Sequence, residues 1–284
     1  MPGEAPITTV VIPVRDEERR LPGCLDALSV QEGAPSFEVI VVDNGSTDAT
    51  RVVASRHPIH ARVLEEHARG PYAARNAGIG AARGELIALT DADCHASPKW
   101  LSAGVAALKG GADLVGGAIK QRATSVQPNM WERYDRATYL RQRDFIEHEC
   151  FAATANLFVR REVFERVGPF RPELVASGDL EFGQRATKAG YVLVFSPDAE
   201  VSHEPRTTLR DTWKLHRKLG SGFGELARSG LRGPAWSDLA LRISFGMVAE
   251  QVAEDGPAIR RRHLAPYHLV AVTARWVGRL TARG

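Results

Sequence analysis

The sequence LIALTDAD at residues 86–93 is a short apolar run that ends in two carboxylates. An uncharged run of this length predicts a buried strand, and the alternation of an extended chain places Asp91 and Asp93 on the same side. Because two neighbouring carboxylates repel each other, this spacing favours a bound cation, such as a divalent metal with oxygen ligands. The alternative is a strand that ends in an ordinary helix-capping loop, since Asp-x-Asp is a common sequence.

The composition predicts one sizeable hydrophobic core and a reducing compartment. With 284 residues, 44% of them hydrophobic, the chain can bury one sizeable core, with room for a small appendage. Its three cysteines (Cys24, Cys94 and Cys150) lack a CxxC pair, which argues against a disulfide framework or a zinc ribbon. No signal peptide is visible at residues 1–6, and no apolar run reaches the ~18 residues of a membrane-spanning helix. We therefore expect a cytoplasmic protein.

The charge is small overall and unevenly distributed. A net charge of +3 is too low to suggest a nucleic-acid partner. Residues 201–284 hold 14 Lys/Arg against 7 Asp/Glu, a net charge of +7, which leaves −4 for the rest of the chain. This basic C-terminal part could form an amphipathic helix at the inner face of a membrane. The alternative is that its helices pack on the rest of the chain or at a homodimer interface.

Strand-like runs alternate with helical segments in the first 90 residues. The predicted strands cover residues 8–14, 37–42, 62–65 and 86–90. A β-α-β-α-β-α-β order implies a parallel sheet with helices on both faces. The first two strands end in acidic turns, at Asp16-Glu17 and at Asp43, so a nucleotide could lie across these strand ends.

The remaining sequence predicts further elements of both kinds. We expect a helix that Ser97 caps and Pro98 begins, and a helix entered at Ser46 or Thr47 earlier in the chain. The other predicted segments are a strand at 113–120, a long helix at 127–147, an apolar strand at 150–160, helices at 162–167 and 177–189, strand pieces at 191–196 and 199–203, and helices from 208 to the end.

Seven segments follow one another along residues 7–225: VVIPVRDEE, VIVVDNGSTDAT, ARGPYAARNAGI, GELIALTDADCHASPKWL, FAATANLFVRREVFERVGPF, SGDLEFGQRATKAGY and SPDAEVSHEPRTTLRDTWKLHRKLGSG. In this order and spacing they resemble the family 2 glycosyltransferases, which depend on nucleotide-sugars and have the GT-A fold. The resemblance implies a Rossmann-like α/β fold whose mainly parallel central sheet is flanked by helices, followed by a helical C-terminal extension.

The same resemblance implies a division of the chain. Residues 1–225 would form the catalytic domain, with a nucleotide-binding half at about 7–120 and an acceptor-binding half at about 121–225. Residues 226–284 would form the helical extension.

The resemblance also assigns roles to individual positions. The donor would be bound by Pro13, Arg15, Glu17, Asp43, Arg75, Asp91, Ala92 and Asp93. A divalent cation, Mn²⁺ or Mg²⁺, would be held by Asp93, His203 and Asp91 together with the diphosphate. Trp100 and Asn156 are predicted to contact the acceptor. Without the resemblance, His203 reads equally well as a surface-loop histidine.

The general base implied by the resemblance is Asp179. The family usually has Glu-Asp at this point, with a further carboxylate two positions on, whereas this chain has Gly178, Asp179 and Glu181. Glu181 is therefore the second candidate for the base.

The implied activity is a metal-dependent, inverting single displacement of the hexosyltransferase type. It would move a sugar from a nucleotide-diphosphate donor, with a UDP-sugar as the first expectation, to a hydroxyl of a glycan, a lipid-linked molecule or a small molecule.

Two other functions are compatible with parts of the sequence. One is a non-catalytic nucleotide-sugar-binding or scaffold protein with a degenerate site, which Gly178 supports. The other is a sugar nucleotidyltransferase, which would need a glycine-rich basic loop after the first strand. Here that loop reads PVRDEERRLPG, with no glycine before Gly23.

Overall fold

The computed structural model describes residues 6–123, 125–228 and 261–282, and these residues form two compact units. The first unit contains residues 6–120, Gln142–Glu173 and Gly178–His203. The second contains Gln121–Arg141, Leu174–Ser177 and the described residues from Glu204 onward. The predicted boundary between residues 225 and 226 does not separate these units, because one helix of the second unit, Leu209–Arg228, runs across it.

The described strands form one sheet in the order β3-β2-β1-β4-β7-β6-β8-β5. They are β1 (Thr8–Val14), β2 (Phe37–Asp43), β3 (Arg62–Glu65), β4 (Leu86–Thr90), β5 (Cys94–Ala96), β6 (Leu114–Gln121), β7 (Asn156–Arg160) and β8 (Leu193–His203). β3, β2, β1 and β4 are parallel, whereas β7 runs antiparallel to β4 and β6, and β5 runs antiparallel to β8. The predicted α/β fold is confirmed, and its sheet is mixed.

The described helices are distributed over both units. Those of the first unit are α1 (Leu21–Ser29), α2 (Thr50–Arg56), α3 (Pro71–Ala81), α4 (Trp100–Lys109), α6 (Gln142–Glu149), α7 (Arg161–Val167) and α8 (Gly178–Lys188). Those of the second unit are α5 (Met130–Thr138), α9 (Leu209–Arg228) and α10 (Arg261–Leu280).

Helix α3 lies directly on the parallel strands because it presents a glycine to them. A Cβ atom on Gly78 would lie 2.4 Å from a methyl carbon of Val11 on β1 and 3.0 Å from one of Val42 on β2. Since the crossover helix of a parallel unit runs opposite to its strands, the first turns of α3 lie toward the carboxyl ends of those strands. This arrangement places Tyr72 and Arg75 toward the edge of the sheet at which the parallel strands end.

The predicted long helix at 127–147 is wrong, because the chain forms two helices there. α5 ends at Thr138, the backbone of Tyr139 after it is extended, and Leu140 then adopts a left-handed conformation with φ +55°. A left-handed residue cannot continue a right-handed helix. Residues up to Arg141 belong to the second unit, and Gln142 begins a helix of the first.

The predicted strand at 150–160 is shortened to Asn156–Arg160. The side-chain oxygen of Gln142 accepts a hydrogen bond from the backbone N–H of Ala153 at 2.8 Å, and Cys150 is left-handed with φ +57°. The backbone before β7 is therefore held by a side chain rather than by a neighbouring strand. The two strand pieces predicted at 191–203 are one strand, β8.

The predicted helix caps also differ from the structure. α4 begins at Trp100 rather than at Pro98, because the backbone N–H of Ser97 pairs with the carbonyl of Glu200 at 2.9 Å and extends the β5 pairing. α2 begins at Thr50, whose N–H donates to the Asp48 carboxylate at 3.0 Å.

The helical C-terminal part of the second unit is confirmed for α9 and α10, which pack backbone against backbone. A Cβ atom on Gly220 of α9 would lie 2.0 Å from the carbonyl oxygen of Arg275, and one on Gly278 of α10 would lie 1.9 Å from that of Arg217. The predicted helical segments within 229–260 lie outside the described residues. None of the helices that the structure describes is long and apolar enough to cross a membrane.

Candidate active site

The loops that follow β1 and β2 are tied together by hydrogen bonds. The Asp16 carboxylate accepts hydrogen bonds from the backbone N–H and the hydroxyl of Thr47, at 2.7 and 3.1 Å. In return, the backbone N–H groups of Asp16 and Glu17 donate to the hydroxyls of Ser46, at 3.0 Å, and Thr50, at 2.8 Å. These four hydrogen bonds fix the backbone of the loop that carries Arg15 and Glu17, two of the predicted donor-binding residues.

Four of the predicted donor-binding residues lie at or near the ends of β1, β2 and β4. Pro13 is half-buried on β1 and Arg15 is exposed, whereas Asp43 and Ala92 are buried. The Asp43 carboxylate accepts a hydrogen bond from the backbone N–H of Ser46 at 3.1 Å, which fixes its orientation at the end of β2.

Asn44 is a structural residue of this edge that the sequence interpretation missed. Its side chain donates to the carbonyls of Glu66 and Ala68, at 2.9 and 2.7 Å, and accepts from the N–H of Gly70 at 2.9 Å. A single amide therefore holds the whole connection between β3 and α3. Its position directly after Asp43, in a turn, is the signal that could have identified it.

The two carboxylates of the Asp-x-Asp sequence point to different partners. Asp91 follows β4 and forms an ion pair with Nη2 of the buried Arg75. Asp93 Oδ2 lies 3.3 Å from Nε2 of His203. The contact with His203, 110 residues further along the chain, arises because Cys94 of β5 is paired directly with His203 at the end of β8.

The side chains that could ligate a metal therefore form a pair. Within residues 6–123, 125–228 and 261–282, no group of three or more His, Cys, Asp or Glu side chains is arranged to hold a metal ion. Asp93 and His203 lie together, while Asp91 is engaged by Arg75.

Glu17 is a third carboxylate near this edge, and the charges of Asp93 and Asp91 act on it. Burial raises the pKa of Glu17, the neighbouring Arg20 lowers it, and the charges of Asp93 and Asp91 raise it further, so that the pKa lies above its ordinary value. The edge of the sheet is therefore acidic, which favours a bound cation.

The two cysteines beside this edge are buried and unreactive. Burial raises the pKa of both the Cys24 and the Cys94 thiol, and the charges of Asp93 and Asp91 raise them further. The Cys24 thiol lies 3.5 Å from the carbonyl oxygen of Asp91 and donates to it. Because a thiolate is the reactive form, these thiols serve packing rather than chemistry.

Asp179 lies in the first turn of α8 and is half-buried. Its Oδ1 lies 3.4 Å from the hydroxyl of Tyr72, and the guanidinium of Arg75 lies over the Tyr72 ring, 5.7 Å from its centre. Burial raises the pKa of Asp179 above its ordinary value, against the opposing effects of the Leu180 N–H, Arg75 and Tyr72. Tyr72 and Arg75, one turn apart on α3, therefore link Asp179 to Asp91.

Glu181, the second candidate for the base, is fully engaged by arginines. Its buried carboxylate accepts hydrogen bonds from Nε of Arg185 at 2.9 Å and from Nε of Arg171 at 3.2 Å. The Arg171 contact joins α8 to the chain before it, and the Arg185 contact lies within α8. We therefore interpret Glu181 as a residue that stabilises the fold, and Asp179 stays the candidate base.

The predicted acceptor residues Trp100 and Asn156 lie in the core. Both side chains are 0% exposed, and the indole N–H of Trp100 donates to Oδ1 of Asn156 at 2.8 Å. Asn156 in turn donates to the carbonyls of Ala118 and Ala199, each at 2.8 Å. Side chains without exposed surface do not contact an acceptor, so this pair is not retained as part of the site.

Comparison with known proteins identifies the family. Residues 9–168, more than half of the chain, match the family described as Glycosyl transferase family 2. The chain belongs to this family. It is also similar to the glycosyltransferase AglE of Haloferax volcanii, with 37% identity over 231 residues that cover 78% of this chain and 74% of that protein.

Similar solved structures support the predicted GT-A fold. A mannosyltransferase, PcManGT, from Pyrobaculum calidifontis, solved with GDP-Man and Mn²⁺, has a TM-score of 0.67 at 21% identity, covering 100% of this chain and 89% of its own. TarS of S. aureus, residues 1–349 with UDP-GlcNAc, has a TM-score of 0.55 at 19% identity, covering 97% and 90%. At these identities the likeness supports the fold of this glycosyltransferase.

Replacing Asn156 with Ala should destabilise the glycosyltransferase without weakening ligand binding. The change removes the partner of the buried Trp100 N–H and a donor to the carbonyls of Ala118 and Ala199, and each buried group left unpaired costs about 1–3 kcal/mol. We expect the free energy of unfolding to fall by about 3 kcal/mol or more. Urea denaturation measures this, with Trp100→Phe, which breaks one of the bonds, as the milder companion. An unchanged unfolding midpoint would contradict the assignment.

Proposed function

We propose that this glycosyltransferase moves a sugar from a nucleoside-diphosphate donor to an acceptor hydroxyl by a metal-dependent single displacement that inverts the anomeric centre. The observation that carries the proposal is the paired arrangement of Asp93 with His203 and of Asp179 with Tyr72, with Arg75 contacting both Asp91 and the Tyr72 ring. One pair supplies ligands for a cation, and the other supplies a carboxylate whose pKa is raised by burial.

The donor pocket is supported by the polar groups at the ends of β1, β2 and β4. In this proposal Asp43 accepts a hydrogen bond from the base, and Pro13, Arg15 and Glu17 line the pocket for the base and the ribose. Ala92 lies between the two aspartates. Arg75 is buried, and its Nε has no hydrogen-bond partner in the part of the chain that the structure describes. A buried guanidinium with an unused donor suits a diphosphate oxygen.

The residues present fit a divalent cation that shares its coordination with the donor. Asp93 and His203 offer a carboxylate oxygen and an imidazole nitrogen 3.3 Å apart, a set that Mn²⁺ accepts. Mg²⁺ is likewise commonly bound by one or two carboxylates together with substrate phosphates. When bound there, the ion would act as a Lewis acid on the leaving diphosphate. The Mn²⁺ of the PcManGT complex supports this part of the proposal.

The role proposed for Asp179 is to accept the proton of the acceptor hydroxyl. As the acceptor oxygen bonds to the anomeric carbon, the bond to the diphosphate breaks and the proton passes to the carboxylate, so one displacement inverts the configuration. A raised pKa makes the carboxylate a stronger base near neutral pH. The rate should then fall as the pH is lowered through the pKa of Asp179.

Calorimetric titration with UDP, GDP and dTDP, each with Mn²⁺ and with EDTA, tests the proposal. We expect tight binding of one nucleotide that is lost in EDTA; UDP is the first expectation, and the GDP-Man in the PcManGT complex makes GDP the main competitor. If no nucleotide binds under either condition, the proposed donor site is wrong and the non-catalytic scaffold becomes the better interpretation. The nucleotidyltransferase would instead require a triphosphate.

Contact with a membrane surface through the basic C-terminus remains a prediction, and α10 provides a face on which to test it. Residues 261–284 contain five arginines and no Asp or Glu. The face of α10 that contains Ala271 and Ala274 is buried, whereas Leu269, Trp276 and Leu280 are exposed. Exposed leucine and tryptophan on a cationic helix suit an anionic lipid surface, as a lipid-linked acceptor would require.

Replacing both Trp276 and Leu280 with Ser should reduce co-sedimentation with vesicles rich in phosphatidylglycerol by at least about 10-fold. Burying each side chain in lipid is worth about 1.5–3 kcal/mol. Leu209→Ser on α9, which removes another exposed leucine, is the matched control and should bind vesicles as the unmodified protein does. Equal vesicle binding by all three proteins would rule out this face, and a change of oligomeric state in the double variant would indicate a homodimer interface instead.

A further inference from the structure

The hydroxyl of Tyr72 contacts both the backbone and the side chain of the first turn of α8. It accepts hydrogen bonds from the backbone N–H of Gly178 at 2.8 Å and of Asp179 at 3.4 Å, and it donates to Oδ1 of Asp179 at 3.4 Å. A phenol has one donor and two acceptor positions, so this one side chain commits its whole hydrogen-bonding capacity to two residues of α8. Tyr72 is buried, which makes these contacts stronger than they would be in water.

The contact depends on the absence of a side chain at residue 178. A Cβ atom on Gly178 would lie 2.7 Å from both Cε2 and Cζ of the Tyr72 ring, closer than real Cβ contacts allow. Gly178 has no left-handed backbone conformation that would itself require glycine. The ring therefore occupies the space in which any larger residue at this position would begin, and Tyr72 and Gly178 form a complementary pair.

The two oxygens of Asp179 are held differently. Oδ1 receives the hydroxyl of Tyr72 and also the backbone N–H of Leu180 at 3.0 Å. Oδ2 has no hydrogen-bond partner among residues 6–123, 125–228 and 261–282. One oxygen is thus fixed, which leaves the other available to receive a proton.

Arg75 connects the same contact to the Asp-x-Asp sequence. It stands three residues after Tyr72 on α3, lies over the tyrosine ring and forms the ion pair with Asp91. The charged and titratable groups that act on Asp179 are these two residues of α3, and its own helix contributes backbone N–H groups. A single turn of α3 therefore contacts the candidate base and one carboxylate of the cation edge.

We propose that Tyr72 is a positioning residue: its hydroxyl, admitted by Gly178, orients Asp179 so that Oδ2 faces the proton to be removed. This role rests on the proposed function of Asp179 as the general base. It also explains why the departure from the usual Glu-Asp sequence need not abolish activity, since Tyr72 fills the position from which the glutamate would start.

The first test measures the contact without any substrate. The carboxyl ¹³C signal of Asp179, assigned by its loss in Asp179→Asn, is titrated with pH in the unmodified protein, in Tyr72→Phe and in Tyr191→Phe. Removing a hydrogen bond to a carboxylate raises its pKa, so we expect the titration midpoint in Tyr72→Phe to move up by about 0.5 pH unit. Tyr191→Phe, which removes a hydroxyl elsewhere in the first unit, should leave the midpoint unchanged.

The second test separates positioning from general damage to the fold. Once the donor is known, Tyr72→Phe should lower kcat about 10-fold with the KM for the donor unchanged. Gly178→Ala, whose new Cβ displaces the ring, should have the same effects. The double variant Tyr72→Phe/Gly178→Ala should lose no more kcat than either single variant, because both substitutions break the same contact.

The outcomes of the two tests are distinct. An Asp179 midpoint that is the same in Tyr72→Phe and the unmodified protein would overturn the positioning role even if nucleotide binds normally, as would additive losses of kcat in the double variant. A shifted midpoint in a protein that binds no nucleotide would instead uphold the contact and refute the proposed function.

Discussion

Replacing Asp179 with Asn is expected to reduce kcat by about three orders of magnitude, within the range of about 10²–10⁴ that a general base contributes. Asparagine keeps the shape of the side chain and its contact with Tyr72, but its amide cannot accept the proton of the acceptor hydroxyl. Release of nucleoside diphosphate from the nucleotide-sugar, followed in the presence of acceptor and Mn²⁺, measures the loss.

The stability of Asp179→Asn distinguishes lost chemistry from lost structure. Because burial raises the pKa of Asp179 in the folded chain, ionising this carboxylate opposes folding, and the cost appears as the pH rises above the ordinary pKa of an aspartate. The neutral amide removes that cost. At neutral pH the free energy of unfolding of the variant should therefore be equal to or higher than that of the unmodified protein. Turnover within tenfold of the unmodified rate would contradict the role of the base.

Glu181→Gln provides the matched control for this prediction. It removes a carboxylate two residues away, on the same turn of α8, that is held by Arg171 and Arg185. Removing one partner of a buried ion pair typically costs about 3–5 kcal/mol of stability. We therefore expect Glu181→Gln to lower the free energy of unfolding and to leave the rate of the chemical step unchanged. The pair of variants therefore separates the roles of the first and second candidates for the base.

Replacing Asp93 with Ala is expected to weaken binding of the nucleoside diphosphate in Mn²⁺ by at least about 100-fold. Residues that only support a metal ligand contribute about 10–100-fold to metal affinity, and a direct ligand should contribute at least as much. Binding by the variant should also become insensitive to EDTA, because His203 would be left as a lone partner for the cation. Titration calorimetry measures both effects.

Two further variants serve as controls for the Asp93→Ala prediction. Asp26→Asn removes an exposed carboxylate on α1 and should bind as the unmodified protein does. Asp91→Asn should weaken binding less than Asp93→Ala, since the Asp91 carboxylate is engaged by Arg75. Nucleotide binding by Asp93→Ala that remains strong and is still abolished by EDTA would place the cation elsewhere.

The parallel half of the fold was predictable because its signals are local. The apolar runs in β1, β2 and β4 are too short for helices, and the carboxylates at or just after their ends mark the edge where parallel strands end. The position of His203 could not be derived in this way. It depends on the three-residue pairing of β5 with β8, and only the resemblance to the family pointed to it.

The errors have specific physical causes. The break between α5 and α6 rests on Leu140, a left-handed residue that is not glycine and so leaves no signal in the sequence. Trp100 is predicted from the sequence to contact the acceptor, but its indole N–H donates to a buried partner, Asn156, which no periodicity indicates.

The Gly178 position shows how a departure from a family pattern can be interpreted only in three dimensions. In the sequence, glycine at this point reads as a missing acid and favours a degenerate site. In the structure, the Tyr72 ring fills the space, and the two residues lie 106 positions apart along the chain. The complementary change is therefore invisible until α3 and α8 are seen together.

The most direct test of the central claim is the anomalous diffraction of crystals grown with Mn²⁺ and the nucleoside diphosphate identified by titration. We expect one manganese peak within coordination distance of Asp93 and His203, with the diphosphate on the same ion and beside Arg75. A peak that touches neither residue, or nucleotide bound away from the ends of β1, β2 and β4, would contradict it.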